Sequence, residues 1–270
     1  MAQDLTDITR QMRAHMVRML AEAGSGHPGG SLSATEVVAS LYFKHMNIDP
    51  ANPDWAERDR FVLAKGHAAP ALYAALAMRG YFEVAEHMTL RKLGSRLQGH
   101  PSMNLTPGVD MSTGSLGQGL SVANGMALAG RIDGRDYYVY CLMGDGEIEE
   151  GQVWEAAMSA AHYRLDHVIA FVDHNGLQID GTNDEVMRVM PIAEKFEAFG
   201  WHTQVIDGAD LDQIDAAIAC AKAAEGRPSV IVCETIKGKG ISFMENVVEW
   251  HGVAPTAEEA ARALAELGVC

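Results

Sequence analysis

Apolar positions along the chain switch repeatedly between helical and strand-like spacing. Leu5, Ile8, Met12, Met16 and Met19-Leu20 recur at helical intervals, so Leu5–Ala23 predicts a helix with Gly24 suited to its C-terminal cap. Ser33-Ala34-Thr35-Glu36 reads as a capping box opening a helix to about His45. Arg60–Leu63 predicts a short strand, followed by helices over 69–79 and 84–93. Residues 97–113 predict a long loop, and 114–119 open a helix of small residues to about Gly130. Residues 137–143 are continuously apolar and predict a buried strand. Residues 147–163 turn helical, and 167–173 predict a second buried strand. Helices over 190–199, 211–224 and 256–267 alternate with strands over 201–206 and 230–233. Residues 235–248, rich in Gly and Lys, predict a mobile lid.

Strand, helix and strand in this order form a right-handed βαβ unit, so the expected class is α/β, a parallel sheet with helices on both faces. Asp145 in Gly144-Asp145-Gly146 and Asn175 in His174-Asn175-Gly176 then lie just beyond the carboxyl ends of two strands. Open α/β sheets bind ligands there. An Asp carboxylate and an Asn amide oxygen are hard ligands suited to Mg²⁺ or Ca²⁺. The glycines permit close backbone approach, and the helix start behind them offers free N–H groups to an anion. These residues predict a metal-bridged diphosphate site. Each triplet alone is an ordinary turn; the pair at the ends of consecutive strands carries the chemistry.

Composition narrows the partners. The chain has 270 residues, 48% of them hydrophobic, enough for one large α/β domain over 1–270 without repeats or linkers. With 36 acidic against 21 basic side chains the net charge is −15, which disfavours nucleic acid and anionic membrane. A diphosphate must therefore be held by local devices. Cys141, Cys220, Cys233 and Cys270 form no CxxC, so free thiols in a reducing cytoplasm are expected. Neither a signal-peptide core nor an apolar run of the roughly 18 residues a membrane span needs is present.

Two glycine motifs fail their context. Gly24-Ser25-Gly26-His27-Pro28-Gly29 matches GxGxxG but follows a helix rather than a strand, and Pro28 would intrude on a phosphate turn. GxxxxGK[ST] does not occur, which excludes a P-loop. Gly114–Gly119 suits a ligand ring lying against backbone. His27, His67, His100 and His251 each adjoin glycine on separate loops, but HExxH and close pairs are absent, which argues against zinc.

GDG followed by an apolar helix, a strand and an Asn resembles the thiamine diphosphate fingerprint, and the flanking SGHPGG, KGHAAP, GHP and TGSLGQG segments resemble transketolase. The resemblance runs from His27 to His251 in family order. It implies that Asp145, Asn175 and the Leu177 carbonyl bind the metal, Mg²⁺ with Ca²⁺ as substitute, and that the Gly146 N–H meets the diphosphate. His67 and His251 become diphosphate contacts. His27 and His100 become donors to the sugar, with His100 or His251 moving protons. Gly114, Ser115 and Leu116 would hold the aminopyrimidine, and Glu150 resembles the acid linking the two active sites of a dimer. Lys237 and Lys239 are open between phosphate contacts and solvated charges.

Ser115, where full-length transketolases usually carry Pro, and TIKGKGISFM over 235–244 resemble the transketolases made as two chains. The carboxylate that activates the aminopyrimidine, the aromatic pocket for that ring and most of the sugar-phosphate grip belong to the family's other half. The implied molecule is the N-terminal, diphosphate-binding subunit, paired with a C-terminal subunit in a heterotetramer. Its activity would be transfer of a two-carbon ketol unit between sugar phosphates. Competing expectations are a subunit of a deoxyxylulose-phosphate synthase or 2-oxoacid dehydrogenase, against which SGHPGG and TGSLGQG argue, or a non-catalytic cofactor-binding protein.

Overall fold

The structure is a computed structural model that describes residues 4–269; Cys270 lies outside them. Five strands, β1 (Arg60–Leu63), β2 (Val139–Gly144), β3 (Val168–His174), β4 (His202–Asp207) and β5 (Ser229–Glu234), form an all-parallel sheet in the order β1-β2-β3-β5-β4. Cys141 pairs with Val62 on one side and Ala170 on the other, and Phe171 pairs with Ile231. β2 and β3 are covered on both faces, which explains their unbroken apolar runs. β4 closes one edge and alternates, with Val205 turned outward.

Alternate strand residues supply two cores. Tyr140, Leu142 and Phe171 pack under α1 (Leu5–Ala23), α3 (Thr35–Ser40), α4 (Ala69–Arg79) and α9 (Leu211–Lys222), through residues such as Met12, Val38, Leu72 and Ile218. Val139, Cys141 and Val172 pack under α5 (Gly119–Ile132), α6 (Gly151–His162) and α8 (Ile192–Ala198), through Leu120, Val153 and Phe196. Helices thus cover both faces, as the periodicity predicts. α10 (Ala257–Glu266) lies along α1 and starts with a capping box of Thr256 and Glu259. No helix among the described residues is long and apolar enough to cross a membrane. Cys141 and Cys233 are buried free thiols, while Cys220 is exposed.

Five expectations need correction, the lid last. The segment read as a loop around His27 begins a helix, α2 (Pro28–Ser33), because Pro28 has the fixed φ favoured in a first helical turn. Ser33 does not cap: its hydroxyl donates to Asp173 at 2.6 Å, and Glu36 pairs instead with Arg13 at 2.7 Å. The predicted helix over 84–93 shrinks to a 3₁₀ stretch, Val84–Thr89. The segment after Asp145 forms a 3₁₀ turn, Glu147–Glu149, before α6 starts at Gly151.

The predicted lid is packed into the molecule. Lys237, Ile241 and Met244 are buried, the Gly238 N–H donates to Gly29 O, and the Arg13 guanidinium donates to Lys239 O at 2.8 Å. Arg13 lies against Gly240, where a Cβ would come within 2.6 Å of its Nε. This segment is a clamped wall rather than a free flap.

Candidate active site

The carboxyl ends of β1, β2, β3 and β5 open into a cleft of about 340 Å³, within the range of small-molecule sites, roughly 300–1,000 Å³. Of the residues picked from sequence, His27, His67, His100, Gly114, Leu116, Asp145, Gly146, Asn175, Leu177 and His251 line it. Ser115 and Glu150 do not: both are exposed, and Glu150 stands at the start of α6 with its Cβ side against Gly117.

The four histidines come from four segments and meet as one cluster. His27 at the head of α2 has ring centroids of His67, His251 and His100 at 5.4, 5.7 and 6.2 Å; His67 stacks on His251 at 5.4 Å. Burial, reinforced by nearby Arg91, His100 and Lys237, lowers the His27 pKa to about 4. Burial and Lys237 lower His251 to about 3. Burial also lowers His67 and His100, helped by Lys65 and Arg91 respectively. At neutral pH the cluster is therefore four uncharged imidazoles, each with one N–H to give and one nitrogen to accept. The buried His27 Nδ1 has no hydrogen-bond partner among the described residues.

Glycine sets how closely the walls approach. A Cβ on Gly30 would come within 3.2 Å of His67 Nε2, and one on Gly114 within 3.0 Å of the His100 ring. Gly114 also has φ 135°, open to glycine alone at little cost. Glu147, buried beside the cleft, fastens Gly114–Gly117 to the end of β2 by accepting from the Gly117 and Gly144 N–H groups at 3.0 Å each. Burial raises its pKa to about 7 against the pull of those two donors.

Asp145 is held by the N–H of Gly146 at 2.8 Å, the N–H of Gly176 at 2.7 Å and the Asn183 amide at 2.9 Å. Asn183 belongs to α7 (Asn183–Val186), a short capped helix that the sequence pattern did not announce. The Asn175 amide oxygen accepts from the Leu177 N–H at 3.3 Å. Asp145, Asn175 and the Leu177 carbonyl supply only oxygen, with a single carboxylate. That set fits Mg²⁺, which keeps waters and takes phosphate oxygens rather than a full protein cage. No group of three His, Cys, Asp or Glu forms a metal cage among the described residues.

Two lysines line the cleft, Lys237 beside His251 and Lys65 as half of an ion pair. Lys237 donates to the Leu177 carbonyl at 2.5 Å and to His251 Nδ1 at 2.9 Å. An ammonium has no lone pair, so His251 Nδ1 must accept and its Nε2 carries the proton. Burial, with Lys65 nearby, lowers Lys237 to about 8. Lys65 is fully buried in an ion pair with Asp173. Burial pushes the Asp173 carboxyl up, but Lys65, Ser33 and Thr235 together hold it below the usual range.

Residues 5–270 match the family described as "Transketolase, thiamine diphosphate binding domain". The chain belongs to this family. It is 51% identical over 265 residues to the 6-deoxy-6-sulfo-D-fructose transketolase subunit SqwG of Clostridium sp. (strain MSTE9), covering 96% of each chain. It is 41% identical over 255 residues to an apulose-4-phosphate transketolase subunit of Phocaeicola vulgatus, covering 94% of this chain and 90% of that one. Against human transketolase the identity is 43% over 254 residues, but only 40% of the human chain is covered. The transketolase of Leishmania mexicana superposes with a TM-score of 0.93 at 32% identity, over 100% of this chain and 42% of that one. This transketolase-family chain thus has the length of a subunit, about two fifths of the single-chain enzymes, and is a thiamine diphosphate-binding transferase subunit.

Sequence reasoning left Lys237 open and passed over Lys65, Glu147 and Asp173. Lys65 had a signal: an isolated cation between an apolar strand and His67. Glu147 was absorbed into the acids of a helix start. Asp173 looked like the polar end of a strand. Arg91 gave no signal; its left-handed backbone (φ 61°) sets its guanidinium against Gly99, near His27 and His100.

Proposed function

We propose that this chain is the N-terminal, diphosphate-binding subunit of a cytoplasmic two-chain transketolase. It acts on sugars carrying a terminal anion: a two-carbon ketol unit leaves a ketose donor by cleavage of its C2–C3 bond and is joined to an aldose carbonyl. The match of this chain over nearly its whole length to two subunits of transketolases, 51% and 41% identical, carries the reading. Since the more similar subunit is named for 6-deoxy-6-sulfo-D-fructose, that sulfonated ketose is the first donor to try, ahead of the phosphorylated ketoses of pentose phosphate metabolism.

Thiamine diphosphate, when bound, supplies a nucleophilic carbon and an electron sink. The chain's part is to anchor and to manage protons. Asp145, Asn175 and the Leu177 carbonyl hold Mg²⁺, with Ca²⁺ able to replace it. The Gly146 N–H, His67, His251 and Lys237 hold the diphosphate; Gly114, Ser115 and Leu116 present backbone to the aminopyrimidine. His27 and His100, uncharged and beside the Arg91 guanidinium, give and take protons at the sugar hydroxyls. Arg91 faces the anionic end of the sugar. Glu150, outside the cleft, lies where a second protomer approaches.

Leu116, Ile179 and Val186 line the cleft and are exposed, apolar surface suited to burial by a C-terminal subunit. Two copies of each chain would make a two-fold heterotetramer with sites between unlike chains. The test is reconstitution with a candidate C-terminal chain. This polypeptide with excess thiamine diphosphate and Mg²⁺ should transfer no ketol unit, and the pair should do so from 6-deoxy-6-sulfofructose, xylulose 5-phosphate or fructose 6-phosphate. Turnover by this chain alone, with contaminating partner excluded by mass spectrometry, would overturn the two-chain reading.

A further inference from the structure

We propose that Asp173 is a positioning residue for the metal site: it turns the Asn175 amide so that its oxygen, not its nitrogen, faces the cation. The proposal rests on the reading of Asn175 as a metal ligand.

Asp173 stands near the end of β3, 2% exposed, two residues before Asn175. Its Oδ2 accepts from Ser33 Oγ at 2.6 Å, from Lys65 Nζ and from Asn175 Nδ2 at 3.3 Å; its Oδ1 accepts from Thr235 Oγ1. One carboxylate thus gathers four donors from the end of α2, the loop after β1, the loop after β3 and the wall after β5. An ionised carboxylate has only acceptors, so the end of the Asn175 amide that faces it must be the NH₂. The Leu177 N–H, 3.3 Å from Asn175 Oδ1, demands an acceptor at the other end. Both neighbours select the same orientation of a group whose two ends are nearly equal in size. A reversed amide would present N–H donors to a cation and repel it.

Lys65 completes the device. It balances the Asp173 charge where no water can, leaving a negative atom to hold Asn175 without a net charge on the cleft floor. Replacing a buried ion pair with apolar residues is often neutral for stability. Orientation of a ligand is a task that apolar substitutes cannot perform.

The test is a titration of Mn²⁺, as a stand-in for Mg²⁺, into the full chain with saturating thiamine diphosphate, reading bound metal by electron paramagnetic resonance. Asp173→Asn should weaken Mn²⁺ binding by about 10- to 100-fold, the usual effect of losing a group that orients a metal ligand. That variant strands the Lys65 charge, so the paired change Lys65→Met with Asp173→Leu removes both charges together. It should fold, judged by circular dichroism and melting, and show the same loss. Thr235→Val, which leaves the Asn175 contact intact, should bind within threefold of the parent. Asn175→Ala calibrates the site. If it loses Mn²⁺ while the folded double variant binds like the parent, the positioning role is overturned. If Asn175→Ala itself binds like the parent, the reading of Asn175 as a ligand fails instead, and the positioning proposal with it.

Discussion

The two ends of the sheet use buried carboxylates for opposite purposes. At the amino ends of the strands, Asp59 accepts from the N–H groups of Asn47 and Tyr138 at 2.8 Å each. Asp110 accepts from the Phe61 N–H at 2.8 Å and pairs with Arg58 at 2.6 Å. These acids tie loose backbone to β1 and β2. At the carboxyl ends, Asp145 and Asp173 also collect donors, but around a cleft lined with four uncharged imidazoles and two lysines. The difference lies in the backbone. Strand ends that run into glycine turns open into the cleft, whereas at the strand starts Asp59 and Asp110 commit their oxygens to backbone N–H groups and to Arg58. The same residue type stitches the fold at one end and is poised for chemistry at the other.

The sharpest test sets Asp110→Ala against Asp145→Ala. Removing Asp110 leaves the Arg58 charge without its partner, a change that costs about 3–5 kcal/mol. Urea unfolding should show that loss, with thiamine diphosphate affinity of the folded protein unchanged. Asp145→Ala should do the reverse on the reconstituted complex: affinity down at least ~100-fold, the effect expected of the anionic metal ligand proposed above, with a much smaller effect on unfolding. Equal effects of the two on both measurements would erase the contrast between the ends.

Within the cleft, His100 and Lys237 should separate by role. His100→Ala should lower turnover by ~10²–10³, as loss of one donor to developing charge does, with cofactor affinity nearly intact. Lys237→Met should weaken thiamine diphosphate binding by roughly tenfold, the low end for a lost charge-assisted hydrogen bond, and slow saturated turnover little. A collapse of cofactor affinity in His100→Ala would reverse the assignment.

The smallest effect is on pH. His27 falls to about 4 and His251 to about 3 in the fold, against an ordinary value near 6.5. Between those values the unfolded chain binds more protons, so stability should rise with pH through that window and level off above it. His87, buried under α4 far from the cleft and lowered to about 4 by burial, adds to the same slope. Melting temperatures between pH 5 and 6.5 should climb less steeply in His27→Asn than in the parent. An unchanged slope would mean that this imidazole is not held uncharged.

Local pattern was enough to determine the alternation of helix and strand and the placing of Asp145 and Asn175 at strand ends as a metal–diphosphate site; the cofactor class came from the resemblance to transketolase. The short apolar runs over residues 137–143 and 168–172, rich in β-branched and aromatic side chains, read as strands buried on both faces, and glycine turns mark where they stop. Tertiary structure alone decided who meets whom. The Ser33 hydroxyl had a local use as a helix cap and was taken instead by Asp173, 140 residues away. Residues 235–248 have the glycine and lysine content of a flexible loop, yet Arg13 and Gly29 clamp them, and Lys237 is drawn inward to the Leu177 carbonyl. Glu147 and Asp173 look like an ordinary helix-start acid and strand-end acid in one dimension, because a charge becomes costly, and so informative, only where folding has removed its water.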